Sequence, residues 1–207
     1  MVNPLAHIVC RDHNRLIGVG DELPWKCKAD MKYFRSVTLN KVLIVGYNTY
    51  LSISKYTGAK FSKSDPLLNE RVSIVIADPT RTEYPPEQKL THSHIVRLIQ
   101  QYSLQSDDTS KLLGFTIFVE SLSEAIQVAG IVQACIKSVM SSQNGYGNWF
   151  VESGKPVAFV IGGSSLYQET LDKAYVSDIY ETVLHMWCYY ADESSKFHYP
   201  EIDSGLY

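Results

Sequence analysis

Short, unbroken apolar runs alternate along the chain with stretches in which apolar residues recur at three- and four-residue steps. Residues 5–10 (LAHIVC) read as a buried strand and lead into the polar turn RDHNR. The apolar unit LIGVG follows. Over residues 29–38 the spacing is helical: Met31, Phe34 and Val37 lie three apart, and Asp30, Phe34 and Thr38 four apart. KVLIVG (41–46), RVSIVIAD (71–78) and VAFVIGG (157–163) are continuous runs of the kind buried on both faces of a parallel sheet. Residues 123–140 and 165–175 predict amphipathic helices, and 177–190 predict a further strand rich in β-branched and aromatic residues. Strands alternating with helices argue for an α/β domain built on a largely parallel sheet.

Three polar stretches interrupt the rhythm, at residues 54–69, 79–111 and 141–155, and read as surface insertions within a single domain over 1–207. Apolar residues make up 45% and charged residues 20%, the balance of an ordinary globular protein with enough material for a core. The net charge of -3 gives no basic footprint for nucleic acid or an anionic membrane. No apolar run is long enough to span a bilayer, and the N-terminus lacks the layout of a secretory signal. Cys10, Cys27, Cys135 and Cys188 are widely spaced and form no C-x-x-C pair, which suggests reduced thiols in a cytoplasmic protein, not a zinc site. His92 and His94 have a metal-like H-x-H spacing but lie in a polar insertion without acidic or thiol neighbours, so no metal is expected.

IVGYNTY and VIGGSSLY share one design: apolar strand, glycine, small polar residues, then helix. Glycine permits close backbone approach, and the following helix N-terminus presents free N–H groups to an anion. Neither turn is G-x-G-x-x-G or a P-loop. In DELPWKCKADMKYF, Asp30 stands at the start of a helical pattern, where a carboxylate is ordinarily a cap. Ser or Thr would cap as well, and a cap leaves the preceding Leu-Pro-Trp unexplained.

Taken in order, RLIGVGDELPWKCKADMKYFRSVT, IVGYNTYLSI, NERVSIVIAD, VAFVIGGSSLYQETL and IYET resemble the dihydrofolate reductase family across the larger part of the chain. The wording around LPW is similar to protozoan members, which are often fused to thymidylate synthase. The resemblance implies a twisted, largely parallel central sheet flanked by helices. It also implies reduction of 7,8-dihydrofolate by hydride from a reduced nicotinamide cofactor, and binding of antifolate-type small molecules. Asp30 would hold the amino-pyrimidine edge and promote protonation, assisted by Trp25 and by Thr182 at the end of a strand. Ile8 and Ile161 would offer backbone carbonyls to the pterin, with Val9 nearby. Met31, Phe34, Ile53 and Leu68 would form the apolar slot, and Arg71 would pair with the glutamate carboxylate of the substrate.

For the cofactor, the resemblance implies Gly46, Tyr47, Asn48 and Thr49 at one turn. At the other it implies Gly162, Gly163, Ser164, Ser165, Leu166 and Tyr167, with a cis Gly-Gly peptide. Cys10, Ile17, Leu23, Ala77 and Asp78 would complete the cofactor contacts. The chain departs from the family where Tyr47 and Ser165 replace cations and where Asp78 follows the strand, which points to weakened NADP selectivity and to NADH as an alternative to NADPH. It also departs where the family continues into a C-terminal hairpin; Trp149 and Phe150 of the third insertion are candidates to cover that edge. These departures keep open a non-catalytic binding or assembly module, and a pyrimidine reductase of riboflavin synthesis is a second alternative.

Overall fold

The computed structural model describes residues 5–39, 41–57, 71–78, 116–141, 156, 158–186 and 193–202. Six strands form one sheet: β1 (Leu5–Arg11), β3 (Val42–Gly46), β4 (Val72–Ile76), β5 (Thr116–Val119), β6 (Ala158–Val160) and β7 (Val176–Val183). Their order is β5-β4-β3-β6-β1-β7, and every neighbouring pair is parallel. The short β2 (Leu16–Val19) and β8 (Lys196–His198) pair with each other, antiparallel, in a separate two-stranded ladder.

Among the described residues four helices cover the sheet: α1 (Lys28–Thr38), α2 (Tyr47–Thr57), α3 (Leu122–Ser141) and α4 (Ser164–Asp172). From β1 the chain steps through β3 to β4 by way of α1 and α2. From β5 it returns to β6 and then crosses to β7 by way of α3 and α4. Right-handed crossovers running in opposite directions put their helices on opposite faces. The core divides accordingly. Val42, Ile44, Val72 and Ile74 pack against Leu122, Ala125, Val128, Ala129 and Val132 of α3 and Leu166 and Tyr167 of α4. Leu43, Val45 and Val75 pack with Tyr47 and Tyr50 of α2 and with Phe34 and Val37 of α1. Alternation of side chains along each strand produces this division, and burial on both faces explains why the strands read as unbroken apolar runs.

The start of α3 is set by its sequence. The Ser121 hydroxyl accepts from the Glu124 N–H at 3.2 Å, and the Glu124 carboxylate accepts from the Glu120 N–H at 2.9 Å, a near capping box. The strand expected over 177–190 runs from Val176 to Val183, and 187–190 lie outside the described residues. Two strands were not expected. β5 is only four residues long and ends the apolar run LLGFTIFV (112–119), and β8 is three residues long with two of them exposed. Of the expected insertions, residues 54–57 continue α2 and Ser141 closes α3, while 58–69, 79–111 and 142–155 lie outside the described residues. So do Trp149 and Phe150, Leu68, and the pair His92 and His94. No described helix is long and apolar enough to cross a membrane.

One polar residue is locked inside the first core. His7 of β1 is 0% exposed, with Nδ1 2.6 Å from the Tyr199 hydroxyl and Nε2 2.7 Å from the Thr170 hydroxyl. Thr170 directs its own proton to the Leu166 or Tyr167 carbonyl, at 2.9 and 3.0 Å. Its oxygen is therefore left to accept from His7, which makes Nε2 the protonated nitrogen and Nδ1 the acceptor for Tyr199. Burial lowers the His7 pKa to about 3. The folded protein keeps this ring neutral where the unfolded chain takes up a proton, so stability falls as pH drops from about 6.5 toward about 3. His7→Gln should lose about 1–3 kcal/mol at neutral pH. Urea unfolding between pH 7 and pH 4 should show a shallower decline for the variant than for the parent; equal slopes would refute this role for His7.

Candidate functional site

β1 supplies both sides of the molecule. Leu5, His7 and Val9 face α4, whereas Ala6, Ile8 and Cys10 face α1 and α2. The Val9 side chain therefore belongs to the core opposite the expected apolar slot, and only its backbone is on the side expected of it. Cys10 stands opposite Thr182 in the β1–β7 register. Its half-buried thiol has a pKa pushed up by burial, then by the Asp30 carboxylate, with Cys27 and Trp25 also at close range. Cys10, Trp25, Cys27 and Asp30 thus meet where β1 ends and α1 begins. Asp30 also acts on the Tyr167 hydroxyl, whose pKa is raised by burial above all and then by Tyr199, Asp30 and Cys10.

The helix does not use Asp30 as its cap. The N-cap is Cys27, with no side-chain cap hydrogen bond, and the first intrahelical bond runs from the Met31 N–H to the Cys27 carbonyl at 3.1 Å. Asp30 sits three residues inside, in the first turn, where the helix dipole favours a negative charge. Trp25 is 9% exposed, and its indole Nε1 is buried with no hydrogen-bond partner among the described residues. A buried donor left unmatched costs free energy that a polar ligand atom recovers.

Tyr167, buried on α4, donates its hydroxyl to the Ile8 carbonyl at 2.7 Å. That carbonyl keeps a second lone pair. Phe34, Ile53 and Ile161 are half-buried and pack on the same cluster as Ile8, which brings together one side of the expected slot; Met31 is half-buried on α1. Arg71, immediately before β4, is 1% exposed. Its Nε donates to the Thr38 hydroxyl at 2.9 Å, one Nη donates to the Arg35 carbonyl at 3.2 Å, and the guanidinium lies 5.7 Å from the centre of the Phe34 ring. Thr38 in turn donates to the Phe34 carbonyl at 2.6 Å. A fully buried arginine held at the C-terminal end of α1 is not a solvated strand-edge residue.

The two glycine turns abut. The Gly46 N–H donates to the Gly162 carbonyl at 2.8 Å, and the Gly162–Gly163 peptide is cis. Gly162 has φ +117, and a Cβ on Gly163 would lie 3.0 Å from the Thr49 hydroxyl. The positive φ of Gly162 favours glycine, and a side chain at Gly163 would have to displace Thr49. α4 opens at N-cap Gly163 with no side-chain cap bond, so the first-turn N–H groups at Ser164 and Ser165 have no intrahelical acceptor. α2 opens beside it at Tyr47. Two helix starts brought together by tight glycines, that of α4 without a side-chain cap, suit the pyrophosphate of a dinucleotide. Asn48, Ser165 and Asp78 are exposed there, Thr49 and Ser164 are half-buried, and Ala77 is buried. The Tyr47 and Leu166 side chains go into the two cores. Leu23 is exposed, and Ile17 packs on the first core.

The motifs did not reveal three participants: Cys27 beside the thiol, Thr38 as the anchor of Arg71, and the His7–Tyr199 pair behind Tyr167. Thr38 was visible only as a residue on the α1 pattern. Thr38→Val should lower stability by about 1–3 kcal/mol, because it strands a buried guanidinium donor, while Thr38→Ser should retain most of it. Chemical denaturation of the two variants tests this, and equal losses would overturn it.

The sequence profile described as "Dihydrofolate reductase" matches residues 4–135. A bifunctional dihydrofolate reductase-thymidylate synthase of Plasmodium vinckei is 26% identical over 185 residues, covering 84% of this chain and 87% of the relative. The Plasmodium chabaudi protein of the same name is 24% identical over 184 residues, 27% of its own length. A dihydrofolate reductase of Mycoplasma pneumoniae is 48% identical over 42 residues, 20% of this chain and 26% of that one. Among solved structures, Enterococcus faecalis dihydrofolate reductase complexed with NADP(H) and RAB-propyl shares the fold. Its TM-score is 0.56 at 18% identity, over 99% of this chain and 82% of that one.

Proposed function

The chain belongs to the dihydrofolate reductase family, and on that premise we propose that it reduces 7,8-dihydrofolate to tetrahydrofolate with NADPH as hydride donor. The observation that carries this reading is Asp30: a carboxylate beside the Cys10 thiol and Trp25, on the first turn of a helix it does not cap. Reduction of the pterin C=N bond adds a hydride to carbon and a proton to nitrogen. Bound NADPH supplies the hydride.

The protein supplies the rest. Asp30 binds the amino-pyrimidine edge, fixes the ring and promotes protonation of the ring nitrogen. The remaining lone pair of the Ile8 carbonyl accepts from the pterin amino group, joined by the Ile161 carbonyl. Tyr167 holds the Ile8 carbonyl in place from behind. Phe34, Ile53 and Met31 line the apolar slot and keep water from the reacting bond. Arg71, held by Thr38 and the Arg35 carbonyl, takes the carboxylate of the substrate's glutamate tail. Trp25 closes the site, its buried indole N–H offering a hydrogen bond to the bound molecules. The starts of α2 and α4, the latter without a side-chain cap, receive the pyrophosphate. Thymidylate synthase, joined to the reductase in the bifunctional relatives, is the proposed partner; failure of the two activities to co-purify would remove it.

Loss of nicotinamide absorbance with dihydrofolate tests the reaction, run separately with NADPH and NADH. Asp30→Asn should lower kcat by about a hundredfold or more while leaving the unfolding midpoint nearly unchanged, since the helix cap is untouched. No turnover with either cofactor from a folded chain, or full activity in Asp30→Asn, would overturn the reading. Arg71→Gln is expected to raise KM for dihydrofolate more than KM for a pterin lacking the glutamate tail.

A further inference from the structure

His13 and His185 lie outside the proposed substrate and cofactor contacts. His13 is in the turn that follows β1, and His185 is two residues beyond β7. β1 and β7 are parallel neighbours with Arg11 opposite Val183, so the two turns leave the sheet side by side. The rings meet: His185 Nδ1 is 3.2 Å from His13 Nε2, with centroids 5.1 Å apart and planes inclined at 58°. Both residues are exposed.

The backbones beneath them are pinned. The Leu184 N–H donates to the Arg11 carbonyl at 2.8 Å, and the Arg11 guanidinium grips the Glu181 carboxylate through Nε and Nη2. The buried Asp12 carboxylate accepts from the Asn14 and Leu16 N–H groups at 2.8 and 2.9 Å, which closes the turn carrying His13. The approach of the two rings is therefore built into the fold.

A zinc-class ion bonds imidazole nitrogen at about 2.0–2.1 Å, so two such ligands stand about 2.9 Å apart at a right angle and about 3.4 Å apart at the tetrahedral angle. The observed 3.2 Å lies between those limits. At present the two nitrogens share a hydrogen bond, which an ion taking one lone pair from each ring would replace. Among the described residues no group of three or more His, Cys, Asp or Glu side chains can hold a metal. The described residues therefore offer a bound ion these two imidazoles, and the exposure of both rings leaves its remaining positions open to solvent. Imidazole pairs select Zn2+, Ni2+ or Cu2+ over Mg2+ and Ca2+, which prefer oxygen.

We propose that His13 and His185 form a two-imidazole binding site for a divalent transition-metal ion. The ion cross-links the turn leading toward the Leu-Pro-Trp segment to the segment that follows β7. The site does not depend on the reductase reading.

The test is calorimetric titration of the full chain with Ni2+, which prefers imidazole to thiolate, and with Mg2+ for contrast. One equivalent of Ni2+ should bind, and His13→Asn and His185→Asn should each weaken it by at least about tenfold. Circular dichroism should show both variants folded, as expected for exposed positions. A His92→Asn/His94→Asn variant should bind Ni2+ like the parent. The proposal is overturned by absence of stoichiometric Ni2+ binding, by binding that persists when His13 and His185 are both replaced, by binding that follows His92 and His94, or by equal affinity for Mg2+.

Discussion

Strand β1 carries two incompatible environments on alternate residues, and the rest of the molecule is arranged to keep it in register. A slip of one residue would carry His7 into the site and Cys10 into the core. The hydrogen bonds of His7 oppose that slip, since its two nitrogens find matched partners only on Thr170 of α4 and on Tyr199 after β8. Tyr167 ties the same strand from the next residue, through the Ile8 carbonyl. Three aromatic contacts join His7, Tyr167 and Tyr199 at centroid distances of 4.8 to 5.8 Å. The polar core behind the strand thus positions the backbone atoms in front of it.

A second buried charge plays the corresponding role at the far end of α1. Arg71 replaces its lost hydration with the Thr38 hydroxyl, the Arg35 carbonyl and the Phe34 ring, all from the last turns of one helix. A cation beside the C-terminal carbonyls of a helix is favoured by the dipole. Asp30 stands at the opposite, N-terminal end of the same helix, so α1 holds a carboxylate at its positive end and a guanidinium at its negative end. On the proposed reading, these two charges at the ends of one helix of eleven residues are the complements of a basic amino-pyrimidine edge and an acidic tail.

Much of this was legible because the local signals agree with the fold. The three long apolar strand runs, the α1 periodicity and the glycine turns each mapped to the expected element, and the ordered motifs identified the family. What escaped reading depends on contacts between residues distant in sequence. His7 and Tyr199 are separated by 192 positions, and nothing near His7 distinguishes a core histidine from a ligand. Val9, which the resemblance implies lies near the pterin, sends its side chain into the opposite core, because a strand sends adjacent side chains to opposite faces. Thr182, expected beside Asp30 or a water next to it, stands opposite Cys10 in the strand register, and the thiol of Cys10 lies in the field of the carboxylate.

That thiol bears on why Asp30 stands three residues inside the helix. A carboxylate at the N-cap turns back to bond the N2 or N3 amide of its own helix, and its lone pairs are consumed there. Shifting the cap to Cys27, whose side chain makes no cap bond, leaves the helix start less well satisfied. The arrangement gives up roughly 1 kcal/mol of capping and leaves the Asp30 carboxylate for the floor formed by Cys10 and Trp25. The Leu-Pro-Trp stretch belongs to the same solution. Pro24 restricts the residue before it to extended backbone, which separates the approach from the helix. Trp25, buried to 9% exposure, then anchors the segment against the site before α1 begins at Lys28. The motif and the acid are therefore one device, in which a helix forgoes its best cap and a buried tryptophan fixes where that helix starts.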